Sequence, residues 1–160
     1  MTCTISTELG ARRATGTCGF RLMPADAPAE GPSSAAVSTI GEALLLRYTW
    51  VHPDDGEQEG VLLVSGKPED GPVTATLFDT WHQHSGFMTL TGQRTEDGGA
   101  RLEETYLEVW GWQVEVTLGD TGATMVMRNV VPEPALGMLP QGDPSSKAGP
   151  YDAMEARWVF

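Results

Sequence analysis

The stretch Asp79-Thr80-Trp81-His82-Gln83-His84 gathers two of the chain's three histidines, an acid and a tryptophan. An imidazole with an ordinary pKa of about 6.5 exchanges protons at neutral pH, and a nearby carboxylate can orient its second nitrogen. His82 is therefore the candidate general acid or base, with Asp79 or Glu108 as its orienting partner. The competing reading is structural: His82 hydrogen-bonds locally while Trp81 packs. His82 and His84 stand at i and i+2, so on a strand both can face one way, as in a two-imidazole metal clamp. Neither His52 nor a glutamate follows at a recognisable ligand spacing, and no metal is assigned. His84 precedes Ser85-Gly86 and is expected in a turn.

Other chemistries lack their residues. There is no Gly-x-Ser-x-Gly, no phosphate loop and no dinucleotide fingerprint. Cys18 lies in Gly16-Thr17-Cys18-Gly19 with no basic triad partner evident nearby, and the absence of a Cys-x-x-Cys pair excludes a zinc knuckle. Cys3 and Cys18 are expected to remain thiols.

These residues are carried by short segments rich in Thr, Val, Leu, Trp and Tyr, each closed by Gly, Pro, Asp or Asn. Ten such segments are expected, near 13–22, 34–40, 43–51, 59–66, 72–82, 86–93, 101–109, 112–119, 123–131 and 153–160. Pro53-Asp54-Asp55-Gly56, Pro68-Glu69-Asp70-Gly71, Glu96-Asp97-Gly98-Gly99 and Gly119-Asp120-Thr121-Gly122 combine turn formers with residues tolerant of positive φ, so a meander follows. Pro24 to Pro32 and Val131 to Pro150 lack alternation and read as irregular; no stretch shows a helical period. So many sequential strands without a covering helix must hide their edges, and a closed antiparallel up-and-down β-barrel of about 8–10 strands does so most completely.

Alternation then offers each strand two inner sets. On 72–82 the odd set is Val73, Ala75, Leu77, Asp79 and Trp81, the even set Thr74, Thr76, Phe78, Thr80 and His82, and both mix apolar with polar residues. That mixture is expected of a barrel with an internal cavity. On 101–109, Tyr106 and Trp110 favour Leu102, Glu104, Tyr106 and Glu108 as the inward set, against a reading in which both glutamates face water. Arg47, Arg128 and Arg157 lie within apolar strands, where an arginine must be paired, stacked or facing water. Gly111 of Trp110-Gly111-Trp112 is expected to allow a tight reversal or bulge that turns one indole inward and the other outward.

With 160 residues and 17.2 kDa the chain has the length of one domain, 1–160, with about the first 12 residues and 132–150 irregular. Ten Lys plus Arg against 22 Asp plus Glu give a net charge of -12, which disfavours nucleic acid and anionic membranes as partners. No apolar run is long enough to cross a bilayer and none resembles an export signal, so a cytoplasmic protein is expected.

Gly19-Phe20-Arg21-Leu22-Met23-Pro24, Asp79-Thr80-Trp81-His82-Gln83, Trp110-Gly111-Trp112 and Asn129-Val130-Val131-Pro132 together resemble a group of bacterial lipocalin-like proteins within the calycin and fatty-acid-binding-protein-like class. The resemblance spans residues 16 to 132 and implies a barrel with an internal cavity, without naming a substrate. Nitrobindin-type haem barrels share this broad architecture, but there a late histidine holds the iron, and here no histidine follows His84. His82 or Cys18 would have to substitute, and no cofactor is assigned. Fatty-acid-binding barrels hold a carboxylate with internal arginine and tyrosine, for which Arg128, Arg157 and Tyr106 are the nearest matches.

The leading expectation is a binder of a small, mostly apolar molecule lying against Trp81, Tyr106 and Trp110. Arg128 and His82 would be polar anchors, with Arg47, Tyr48, Arg157 and Asn129 completing the set. The alternative is a cofactor-independent isomerase, cyclase or dehydratase acting on a hydrophobic intermediate, with His82, Asp79 and Glu108 catalytic. An apolar outer wall used for assembly, as in a homodimer, is the third.

Overall fold

The computed structural model describes residues 11–21, 29–67, 69, 71–81, 86–138 and 147–160. Ten strands follow in chain order: β1 (Arg12–Phe20), β2 (Ala29–Ile40), β3 (Ala43–His52), β4 (Gly56–Val64), β5 (Pro72–Asp79), β6 (Met88–Arg94), β7 (Ala100–Tyr106), β8 (Trp110–Leu118), β9 (Gly122–Val131) and β10 (Gly149–Val159). Each is antiparallel to its sequence neighbours, and β1 pairs with β10 from Thr15↔Val159 to Phe20↔Met154. That last ladder closes the sheet into an up-and-down barrel, so none of the ten described strands is an edge.

All ten expected strands are present. β2 and β10 start earlier than expected, at Ala29 and Gly149, because two prolines hide their first residues in the sequence pattern. Pro32 pairs with Thr17 before the β2–β3 ladder begins at Ser33↔Trp50; Pro150 pairs with Val130 before the β1–β10 ladder begins. Each therefore occupies a stretch paired on one side only, where a missing N–H costs no ladder bond. A 3-10 helical turn, Glu133–Met138, occupies the start of the segment expected to be irregular.

The period-two pattern resolves cleanly once the barrel is closed. On β3, Leu44, Leu46, Tyr48 and Trp50 are each at most 1% exposed, while Arg47, Thr49 and Val51 face outward. On β5 the odd set is inside, with Val73, Ala75, Leu77 and Asp79 buried. On β7, Ala100 and Leu102 are buried and Glu104 and Tyr106 share their parity, the set favoured from the sequence. Leu62, Leu90, Val114, Met125, Met127 and Ala156 fill the middle of the barrel. Each fully buried side chain of Leu or Val size contributes about 1.5–3 kcal/mol relative to exposure.

The two ends differ. At one, the turn end, Arg94 donates to Gly99 O (3.0 Å), Gly98 O (2.6 Å), Gly66 O (2.9 Å) and Glu42 O (3.2 Å), tying three hairpin connections together. Arg12 does the same for Gly119 O and Asp120 O, its guanidinium 3.6 Å above the Phe160 ring. The other end, the mouth, is where β1, β3, β5, β7 and β9 finish. Three of its connections, 21–28, 80–87 and 132–148, include residues outside the described set.

Candidate functional site

At the mouth the inner wall is no longer uniformly apolar. Glu104 and Tyr106 on β7, Trp110 and Trp112 on β8, Asn129 on β9 and Tyr151 on β10 all point inward and are only half-buried. One layer deeper on the same strands, Leu102, Val114, Met127 and Met154 are closed off from solvent. Solvent thus reaches into this side of the barrel and stops above the apolar core. Tyr106 Oη donates to Asn129 Oδ1 (2.7 Å), and Asn129 Nδ2 donates to Tyr151 Oη (3.1 Å). Burial raises the Tyr106 phenol above its ordinary pKa, the neighbouring Tyr151 adds to this and the Asn129 bond partly offsets it. The Tyr106 and Trp110 rings, a cross-strand pair, have centroids 6.4 Å apart.

The opposite wall is a packed aromatic cluster. Phe20, Trp50, His52 and Trp81 touch pairwise, with centroids 4.3 Å apart for Phe20–His52 and 5.3 Å for Trp50–Trp81. His52 Nδ1 accepts the backbone N–H groups of Asp54 (3.1 Å) and Asp55 (3.0 Å), so the ring proton sits on Nε2. That geometry argues against a charged pair with Asp55, whose Oδ2 lies 3.4 Å from the same nitrogen and instead accepts Trp81 Nε1–H (3.3 Å).

Beneath this cluster, Tyr48 Oη donates to Asp79 Oδ2 at 2.5 Å, and Asp79 Oδ1 accepts the Trp81 backbone N–H at 2.8 Å. The pair meets across β4 at Gly60, which is the register partner of both residues. A Cβ on Gly60 would lie 2.1 Å from Tyr48 Cζ, so only glycine leaves room for the ring. Burial, and then the Asp79 charge, hold the Tyr48 phenol well above its ordinary pKa. The same two causes, with Glu30, push the Cys18 thiol up to about 12, and this fully buried sulfur is inert as a nucleophile at neutral pH. In register with Trp50, Ser33 Oγ accepts from Trp158 Nε1 (2.8 Å) and donates to Thr49 O (2.8 Å).

Two polar groups in this region lack partners. The indole N–H groups of Trp50 on β3 and Trp112 on β8 are buried without an acceptor among the described residues. β3 and β8 stand five places apart in the ring of ten strands, so the two indoles belong to facing walls. A buried donor left unmade costs about 1–3 kcal/mol, and an acceptor brought in from outside recovers it.

The expected site residues divide sharply. Asp79, Trp81, Tyr106, Trp110 and Asn129 are brought to the mouth. Tyr48 is on the inner face too, but it is 1% exposed beneath the aromatic cluster, and its hydroxyl is spent on Asp79. The arginines are a correction. Arg47 pairs with Glu59 (3.2 Å), Arg128 with Glu115 (3.0 Å) and Asp152 (2.8 Å), and Arg157 with Glu155 (2.5 Å), all on the outer wall. Strand parity sends them there: each is one residue removed from a buried inner side chain, Leu46, Met127 and Trp158.

Glu108 is a second correction. It sits exposed on the β7–β8 turn, where Leu107 (φ 46°) and Glu108 (φ 69°) are both left-handed, so it faces water instead of orienting a histidine. That turn also makes the reversal expected at Gly111. Gly111 instead continues β8, paired with Thr105 and Val130, and both flanking indoles stay on the inner face. His82 and His84 lie outside the described residues, as does Cys3. Sequence reasoning passed over His52 and Trp112 as site residues; the strand periodicity that placed Trp110 could have placed Trp112 with it.

Other features carry less. Outer-wall grooves of ≈ 390 Å³ along Thr17, Arg21, Asp152 and Arg157, and of ≈ 440 Å³ over Gly111 and Val130, are valleys between side-chain ridges. Among the described residues no three His, Cys, Asp or Glu side chains converge to hold a metal ion, and no helix is long and apolar enough to cross a membrane.

The fold and its mouth define the class: an all-β, closed ten-stranded antiparallel up-and-down barrel, consistent with a calycin-like fold. No protein-family model and no curated protein matches the chain.

Proposed function

We propose that the barrel binds a small, mostly apolar molecule at its mouth, between the aromatic cluster of Phe20, Trp50 and Trp81 and the half-buried wall of Tyr106, Trp110 and Trp112, as a lipocalin-like protein. The observation that carries this reading is the pair of buried indole N–H groups, Trp50 and Trp112, left without acceptors among the described residues on facing walls. A mostly apolar molecule bearing one or two acceptor oxygens would satisfy them while burying its skeleton on the rings.

Mass spectrometry of the protein released from its native host under non-denaturing conditions, with 15N-indole spectra of the delipidated and reloaded protein, tests this. The expected result is a retained molecule whose return shifts the Trp50 and Trp112 indole resonances. Indole signals unmoved by every retained molecule and by a broad panel of apolar compounds would overturn it.

Asp79 favours a second reading, a cofactor-independent isomerase, cyclase or dehydratase. A carboxylate 7% exposed, oriented through both oxygens by Tyr48 and the Trp81 amide, is the kind of group that moves a proton in a water-poor site. His82, three residues further on, would be its partner. Under this reading Asp79→Asn and His82→Ala each abolish turnover of the retained molecule while leaving its affinity nearly intact; unchanged turnover in both variants rules the reading out.

A further inference from the structure

We propose that the mouth selects an organic amine, an ammonium group held by the Glu104 carboxylate beside the Trp112, Tyr106 and Trp110 rings on an apolar skeleton that carries its acceptor oxygen elsewhere, and that it refuses organic anions. This rests on the binding reading above and assigns its ligand a charge.

The first support is where positive charge is absent. Among the described residues no Lys or Arg stands on the inner face of a strand at the mouth. Arg47, Arg101, Arg128 and Arg157 are paired with carboxylates on the outer wall. Arg12 and Arg94 seal the turn end, Lys67 pairs with Glu42 there, and Arg13 and Lys147 are exposed. Arg21, outward by parity from Phe20, donates to Asp152 O on the outer wall. The arginine anchor that a fatty acid would need is thus missing.

The second support is what does face inward. Asp79 and Glu104 are both acidic, and they differ in availability. Asp79 is buried with both oxygens engaged, whereas Glu104 is half-buried, reached by solvent, and has no ion pair or hydrogen bond among the described residues. Its cross-strand register partner is Trp112, and Tyr106 and Trp110 form the next pair toward the rim. A carboxylate among three electron-rich rings attracts a cation through direct charge and through the ring faces. The same carboxylates repel an anion across a low-dielectric gap.

The test uses three probes with one skeleton, 2-naphthylethylamine, 2-naphthylethanol and 2-naphthylacetate, titrated by calorimetry into the full chain at pH 7. The amine should bind at least tenfold tighter than the acetate. Glu104→Gln should weaken the amine about tenfold and leave the alcohol within about twofold, and the unchanged alcohol affinity also shows that the variant is folded. Glu104→Asp, which keeps the charge, should retain most of the amine preference. Acetate binding as tight as amine binding, or an amine affinity indifferent to Glu104→Gln, overturns the charge assignment while the alcohol still reports a working mouth. Failure of all three probes to bind takes down the binding reading as well.

Discussion

Tyr48 and Asp79 lie two strands apart and meet across the missing side chain of Gly60, the tyrosine hydroxyl 2.5 Å from the carboxylate. The glycine is what allows it, because the phenol ring occupies the volume a Cβ would take. One buried charge-assisted hydrogen bond therefore ties β3 to β5 just below the mouth and fixes the floor on which Trp50 and Trp81 pack.

Removing that hydroxyl strips a buried carboxylate of one donor. Tyr48→Phe should destabilise the barrel by about 1.5–3 kcal/mol, the range for hydrogen bonds to charged groups, read as a lower urea midpoint at constant slope. Gly60→Ala should cost about 1–3 kcal/mol by overpacking against the ring. In a Tyr48→Ala background most of the Gly60→Ala penalty should disappear. A fully additive double mutant would show that ring and glycine are not coupled.

The thiol of Cys18 and the phenol of Tyr48 are both raised, first by burial and then by the Asp79 charge. A raised acid favours the folded state fully below its unfolded pKa and loses that contribution as pH climbs toward the folded value. Folding stability should therefore hold through neutral pH and decline above 9.0, the ordinary thiol value, as the pH climbs toward the folded Cys18 value of about 12. In a Cys3→Ser variant, thiol reagents at pH 8 should label Cys18 no faster than the protein opens. Rapid labelling of the native state would contradict the burial.

Arg94 bonds four carbonyl oxygens from three connections, and burial pulls its pKa below the ordinary arginine value, with Asp97 partly restoring it. Arg94→Met should cost about 2–4 kcal/mol, since several acceptors lose a donor at once. Arg94→Lys should recover little, because a point ammonium cannot span the fork. Hydrogen exchange should quicken first in the hairpin connections near Gly66 and Gly98; unaltered exchange there would refute the seal.

Arg128 is the sharpest test of the outer-wall assignment. Its hydrogen bond, followed by that of Arg101, lowers the Glu115 pKa, so this pair stabilises the fold above the ordinary 4.5 and fades as pH falls below it. Both partners are near 30% exposed, which limits the effect to about 1 kcal/mol. Arg128→Met should flatten the acid limb of the stability curve and leave ligand affinity at the mouth unchanged. A large loss of affinity would return Arg128 to the site.

Much of the architecture was legible in the residues, because turn chemistry and period-two alternation are local. Asp54-Asp55-Gly56, Asp97-Gly98 and Gly119 to Gly122 announced their hairpins, and the strand count with no covering helix announced closure. Of the inward set Leu102, Glu104, Tyr106 and Glu108, the first three could be chosen as well, since aromatic residues tipped the balance. The Leu107–Glu108 reversal could not, because neither residue signals a left-handed backbone, a conformation that costs about 1–2 kcal/mol per residue and is held by the ladder on either side.

What only the closed barrel decided was which face of each strand is inside and which distant residues become neighbours. Both faces of β5 mix polar with apolar residues, so hydrophobicity alone left its odd and even sets as equal candidates for the interior. Ring closure broke the tie by burying Val73, Ala75 and Leu77, and Asp79 went in with them. The same closure turned Arg47, Arg128 and Arg157 outward to carboxylates on adjoining strands or two residues along, and brought Tyr48 to Asp79 over a glycine. A strand carries its own alternation in its sequence, but the register between strands, and with it every cross-strand partner, exists only after the sheet has wrapped.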